Sequence, residues 1–372
     1  MSEKKAGTGG QRYVPYGERT GNESIVYFTR DLSPEGLIKI YDRVKGNIRG
    51  KVAIKLHTGE PHGPNIIPSA WVREFMAKQL PDATIIETNT LYDGDRYTTA
   101  RHRKTLEVNG WSAFTTVDIT DEFGAVMLPV RQGRWFSEMS VGKSTTDYDS
   151  LVALTHFKGH TMGGFGGSNK NIGIGCADGQ VGKRMIHATD DNMWGITEEE
   201  FMERMTESAK ATIDFFGRHV AYINVMRNMS VSCDCEGVEA APVVTPNVGI
   251  VASVDILAAD QASVDMIAAM TEEDHHDLME RIQSRHGFRQ LSYMKELGMG
   301  NDRYVLIDID HDDRRITAAD AVEGVKPFEA QKEFMTARLG PVRRLVPCPE
   351  IPCISWFPAI MRRRSCPRPP AV

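Results

Sequence analysis

Short apolar runs alternate with amphipathic stretches along most of the chain. Residues 24–29, 51–56, 83–88, 114–118, 151–154, 220–225, 248–253 and 304–309 are apolar-rich runs bounded by turn-forming residues, as buried strands are. Helical patterns lie between them. Ser33-Pro34-Glu35 reads as a helix start, Ser as N-cap and Pro at the first helical position, followed by the stripe Leu37, Ile38, Tyr41 and Val44. Further helices are expected over 68–80, from the end of the polar loop 89–97 to about residue 109, around Asp260, Gln261 and Asp265, and over 274–285 and 288–297. The clearest opens at Thr197-Glu198-Glu199-Glu200, a capping-box sequence flanked by the staple pair Ile196 and Phe201. Phe201, Met205, Ala209, Ile213 and Phe216 step along its apolar face. Such alternation predicts an α/β protein with mostly parallel sheets, flanking helices and right-handed crossovers. The stretch 121–149 departs from it: residues 126–130 and 134–139 flank Gln132-Gly133 as a β-hairpin insertion.

The pattern divides the chain into a polar lead-in (1–22), a glycine-rich-loop α/β domain (23–192), a second α/β domain (196–310) and an irregular tail (311–372). From residue 341 onward the tail holds eight of the 18 prolines and shows no periodicity. A ligand cleft is expected between the two domains, formed by the loops at 57–65, 156–176 and 233–237.

Composition narrows the function classes. At 372 residues, 41% hydrophobic and 25% charged, the chain has room for two ordinary domains. Its net charge of -6 is uneven: residues 341–372 carry six Arg and one acid, leaving 38 bases and 49 acids on the remainder. That acidic body argues against nucleic acid and anionic membrane as main partners. There is no apolar run of 18 residues and no hydrophobic segment near the start, which predicts a soluble, cytoplasmic protein. Six cysteines in a chain this long are expected to be free thiols or metal ligands, not a disulfide framework.

The chemistry concentrates in 155–183, directly after the strand at 151–154, where nine glycines surround two His, three Lys, two Asn and Cys176. His160 and Lys170 are the leading catalytic candidates, with His156 and Lys158 beside them. Imidazoles suit proton transfer, and a desolvated lysine can serve as nucleophile or covalent anchor. Gly163, Gly164, Gly166, Gly167, Asn169 and Asn171 are expected to cradle a cofactor, although the spacing matches neither a dinucleotide fingerprint nor a Walker loop. Cys233-Asp234-Cys235 supplies two more thiols. With Cys176 they can hold an iron-sulfur cluster or another thiophilic metal if the domains bring them together; alternatively Asp234 and Glu236 form an acidic turn with idle thiols. The bland readings are a polar surface loop for His57, Glu60 and His62, helix capping for Asp255, solvent exposure for Asp260 and Asp265, and solvation for His275 and His276. Cys348, Cys353 and Cys366 lack zinc-site spacing.

Residues 51–65, the glycine-rich stretch, the segment 223–237 with Cys-Asp-Cys, and 249–265 together resemble domain-of-unknown-function family 362, often labelled uncharacterised iron-sulfur centre proteins. That resemblance spans roughly residues 24–310. It supplies a family but not an activity; the expectation from the three cysteines is redox or lyase-type metal chemistry on a small-molecule substrate, with an electron-transfer protein as a further partner. The ferredoxin-type Cys-x-x-Cys-x-x-Cys module of many members is absent from this sequence, so a cluster here would rest on Cys176, Cys233 and Cys235. The run from His160 to Lys170 is also distantly similar to the nickel-pincer lactate racemase family. This second resemblance implies His160 as acid/base, Lys170 as anchor of a nickel-pincer-like nucleotide, and His187 as metal ligand in a hydride-transferring isomerase or oxidoreductase. A non-catalytic module binding a divalent metal or an anion is the remaining alternative.

Overall fold

The computed structural model describes residues 12–329 and 331. The first half runs β1 (Glu23–Thr29), α1 (Pro34–Val44), β2 (Val52–Lys55), α2 (Ser69–Gln79), β3 (Thr84–Glu87), α3 (Thr99–Val108) and β4 (Val117–Ile119). Next come the hairpin β5 (Ala125–Pro129) and β6 (Glu138–Gly142), then β7 (Ser150–His156). The glycine-rich stretch folds into β8 (Lys158–His160), β9 (Gly164–Gly166), α4 (Ser168–Gly175) and α5 (Gly182–His187). After α6 (Glu198–Phe216) come β10 (Val220–Met226), β11 (Gly249–Ser253), α7 (Ile256–Ala269), α8 (Glu272–Ser284) and α9 (Phe288–Glu296). The described chain closes with β12 (Arg303–Asp308), β13 (Arg314–Ile316) and α10 (Ala318–Val322).

One nine-stranded sheet organises these elements, in the order β13-β12-β1-β11-β10-β7-β2-β3-β4. The pairs β10·β7, β7·β2, β2·β3, β3·β4 and β1·β12 are parallel, while β11 runs antiparallel to both neighbours and β13 to β12. The fold is therefore α/β with a large, mostly parallel sheet, as the alternation predicts. Strands from both sides of the expected boundary at 192–196 belong to this sheet, joined where β7 pairs with β10.

Helices cover both faces. β7 shows why: Leu151 and Ala153 pack into one apolar cluster with residues of α4, α6 and α7, while Val152 and Leu154 pack into another with residues of α1, α2 and α3. A strand buried on both faces reads as a continuous apolar run. In α1 the Ser33 side chain accepts the Gly36 N–H, as the N-cap signature predicts.

Several expectations need correction. Thr197 is the N-cap of α6, but its side chain makes no capping bond; Glu198, Glu199 and Glu200 instead place negative charge at the helix's positive end. Asp255 caps α7, whereas Asp260 and Asp265 are buried, the first against the start of α4 and the second paired with Arg19. The chain stays regular beyond Asp313, through β13 and α10. Residues 1–11 of the lead-in and residues 332–372 of the tail, with Cys348, Cys353 and Cys366, lie outside the described residues.

Candidate metal centre

Parallel strands bring their carboxyl ends to one edge of the sheet, where α/β proteins place ligands. Lys55 ends β2, Glu87 ends β3 and His156 ends β7. The chain leaving β10 returns to the same edge with Cys233, Asp234 and Cys235. Here they surround a cavity of about 320 Å³ whose lining includes Lys158, His160, Lys170, Lys183, His187 and Cys235.

His160, Cys233 and Cys235 each offer a ligand atom, and these atoms lie within 4.8 Å of one another. Cys233 is buried, and its Sγ accepts the Cys235 N–H at 3.4 Å and the Lys170 ammonium at 3.5 Å. The side-chain hydrogen bond from the Cys235 thiol, with Lys170 and His160 nearby, holds the Cys233 thiol well below its ordinary range despite burial. Cys235 moves in the opposite direction because its thiol supplies that bond, is largely shielded from water although the residue is only half-buried, and faces the Cys233 charge. Burial pulls the Lys170 ammonium down, but the two sulfurs outweigh it and the net direction is up. Lys170 is thus the counter-charge of the thiolate.

His160 is pulled below its usual value by burial and then by Lys170. Its Nδ1 accepts the Gly163 N–H at 2.7 Å, which puts the hydrogen of the neutral ring on Nε2. A metal held through Nε2 requires that hydrogen to move to Nδ1 and break the Gly163 bond. His160 is therefore the least prepared of the three donors.

Asp234 explains how the two cysteines are held. Its carboxylate meets His156 Nδ1 and Lys158 Nζ, each at 2.9 Å, tying the Cys-Asp-Cys turn to β7 and β8. Burial pushes this carboxyl up, but His156 and Lys158 draw it far below the ordinary carboxylate range. The other His156 nitrogen lies 2.6 Å from the Arg227 carbonyl, so neither ring nitrogen is free for a ligand. Lys158 also donates to the His156 carbonyl at 2.9 Å. Both residues hold the turn in place.

The remaining predicted residues divide between wall and core. Gly166, Gly167 and Asn171 line the cavity. Gly163 serves His160, and Gly164, at φ +73°, turns the β8–β9 hairpin against Gly287. Asn169 faces away, donating to Thr206 at 3.0 Å. The glycines thus serve packing as much as ligand approach: a Cβ on Gly173 would strike the Met205 carbonyl where α4 meets α6.

Cys176 does not join the other thiols. It follows α4, six residues beyond Lys170 and so about 9 Å further along the helix. Burial pushes its thiol up to about 11, and the charged groups around it are Lys55, Glu87 and Lys183. His187 is also outside the group of three. Its Nδ1 donates to the Lys183 carbonyl at 2.7 Å, its ring packs on Trp194 and Phe201, and burial lowers it to about 3.

Four further residues escape the sequence reading. Lys55 and Glu87 form a buried pair at 2.7 Å, and Arg96 reaches Glu60 at 2.8 Å. Lys183 is buried with three neutral oxygen partners, from Thr88, Asn89 and Ala177, and burial lowers it to about 8. The available signal was a lysine closing the otherwise apolar run Val52-Ala53-Ile54.

The fold and this group define an α/β protein with a cluster of soft donors at the carboxyl edge of its sheet. Residues 52–265, more than half of the 372-residue chain, match the family described as Domain of unknown function (DUF362), and the chain belongs to that family. No curated protein matches it. Among solved structures it is similar to the lactate racemase apoprotein of Thermoanaerobacterium thermosaccharolyticum, at 13% identity, with 81% of this chain and 91% of that one covered and a TM-score of 0.34. It is also similar to a structural-genomics protein of Thermotoga maritima, at 12% identity, covering 52% of this chain and 49% of that one, with a TM-score of 0.34. No helix among the described residues is long and apolar enough to cross a membrane.

Proposed function

We propose that this chain is an enzyme that holds one soft divalent metal ion between Cys233, Cys235 and His160 and acts on a small molecule in the adjoining cavity. The observation that carries this reading is the convergence of three donor atoms within 4.8 Å, two of them, on His160 and Cys235, belonging to residues that line the cavity. Two sulfurs and one imidazole suit a mononuclear thiophilic ion with one position left for substrate or water. They do not suit an iron-sulfur cluster held by three body cysteines, because Cys176 is absent from the group. The bound ion would act as a Lewis acid toward a substrate atom. The chain's own contributions are clearer. Asp234 orients the turn, Lys170 compensates the sulfur charge, and Lys158 and Lys183 place positive charge around the substrate. Covalent attachment of a nickel-pincer-like nucleotide at Lys170 requires the free amine, a form that the neighbouring sulfurs oppose.

Metal analysis of protein purified without oxygen tests the proposal. One equivalent per chain, lost in Cys233→Ser, is expected; metal-free wild type with intact reduced thiols would sink it.

A further inference from the structure

We propose that Cys233 and Cys235 also form a dithiol that reduces small acidic disulfides. The inference rests on the site proposed above but does not require the ion. Three observations carry it: the two sulfurs are close, one of them faces the cavity, and that cavity carries surplus positive charge.

The sulfurs belong to a group whose ligand atoms all lie within 4.8 Å, so closing an S–S bond of about 2.05 Å requires a movement of less than about 3 Å. The backbone of the turn already folds back on Cys233, since the Cys235 N–H points at Cys233 Sγ. Cys235 lines the cavity, while Cys233 is buried behind it. An entering disulfide therefore meets Cys235 first, with Cys233 poised to displace it.

Charge sets the substrate class. Lys55, Arg96, Lys158, Lys170 and Lys183 line the cavity. The carboxylates that pair with them are Glu87, Glu60 and Asp234. Lys170 hydrogen-bonds only to sulfur and Lys183 only to neutral oxygens, although Asp234 and Asp121 act on them from further away. Closing the disulfide removes the sulfur charge that Lys170 faces, which leaves the wall still more cationic and favours keeping the anionic product. A disulfide bearing carboxylates fits this wall, and one bearing amines is repelled.

The exchange balances. The Cys235 thiol passes its proton to the neighbouring Cys233 thiolate as it bonds to one substrate sulfur and expels the other half as a thiolate. Cys233 then gives that proton to the expelled half, attacks the Cys235 sulfur, forms the Cys233–Cys235 bond and expels the second half. Two electrons pass from the protein sulfurs to the substrate disulfide, which leaves as one thiol and one thiolate. While the bond lasts, neither sulfur is available to a metal.

The reduced, metal-free full chain is incubated with dithiodiglycolate or with cystamine, acidic and basic disulfides of similar size. After remaining thiols are blocked, tryptic peptide 228–281, which contains only these two cysteines, is weighed. The expected result is loss of two hydrogens from that peptide, at least about tenfold faster with dithiodiglycolate. Cys233→Ser should trap the acidic half-molecule on Cys235, which shows that the variant still folds an accessible site. A peptide that keeps both thiols, or equal rates with the two reagents, overturns the proposal. Zinc separates the two readings. Disulfide formation in a chain that binds no zinc removes the metal reading alone. Zinc bound through the sulfurs, in a chain that resists dithiodiglycolate when metal-free, removes this one alone.

Discussion

Two buried charged clusters stand side by side at the carboxyl edge of the sheet, and they are built on different terms. In the first, Lys55 and Arg96 meet Glu87 and Glu60 through direct ion pairs. In the second, His156 and Lys158 share the single carboxylate of Asp234, and Lys170 has a sulfur as its partner. A buried cation paired with a carboxylate is a structural feature. A buried cation that relies on a thiolate is a group arranged for chemistry, because thiolates are also the ligands and nucleophiles of protein sites.

The largest expected effect belongs to the matched cluster. Glu87→Gln leaves Lys55 buried without its partner and should lower stability by about 3–5 kcal/mol in urea denaturation, while metal stoichiometry at low temperature stays unchanged. Loss of metal without loss of stability would place Glu87 in the site and erase the distinction. Next comes Cys233→Ser: cobalt affinity should fall by more than the ~100-fold typical of outer-shell partners, and because Lys170 loses its thiolate partner the melting temperature should fall as well, by less than in Glu87→Gln. A variant that unfolds instead would make Cys233 structural.

Lys183 provides a pH test. Its folded value is lowered from 10.5 to about 8, so between these pH values the unfolded chain holds a proton that the folded chain has released. Stability then rises with pH through this window, by about 3 kcal/mol. Denaturation series of wild type and Lys183→Met should differ by that slope, and parallel curves would mean that Lys183 has the same affinity for protons in both states. The smallest effect is assigned to His160→Ala, about tenfold in cobalt affinity, because binding through this ring sacrifices its Gly163 bond. A loss as large as that of Cys233→Ser would show that the ring turns without penalty.

The sheet was legible because its central strands are buried on both faces: Val52-Ala53-Ile54 and Leu151 to Leu154 are uninterrupted apolar runs. Less legible was what the glycines do. Nine of them suggested a loop, yet Gly173 lies inside α4, where the missing side chain lets that helix press against α6. Spacing alone could not distinguish such packing from ligand binding. The thiols show the same limit: Cys176, Cys233 and Cys235 are equivalent in the sequence, but α4 carries Cys176 away while a tight turn holds the other two together. Asp260 and Asp265 misled because a buried carboxylate needs partners, and those partners, the N–H groups of Ser168 and Asn169 and the side chain of Arg19, are distant in sequence.

Cobalt(II) titration of the anaerobically reduced chain addresses the central claim most directly, because thiolate-to-cobalt charge-transfer absorption reports sulfur ligation. The account predicts one cobalt per chain with that absorption, unchanged in Cys176→Ser and abolished in Cys233→Ser. Absorption that survives Cys233→Ser but disappears in Cys176→Ser would contradict it.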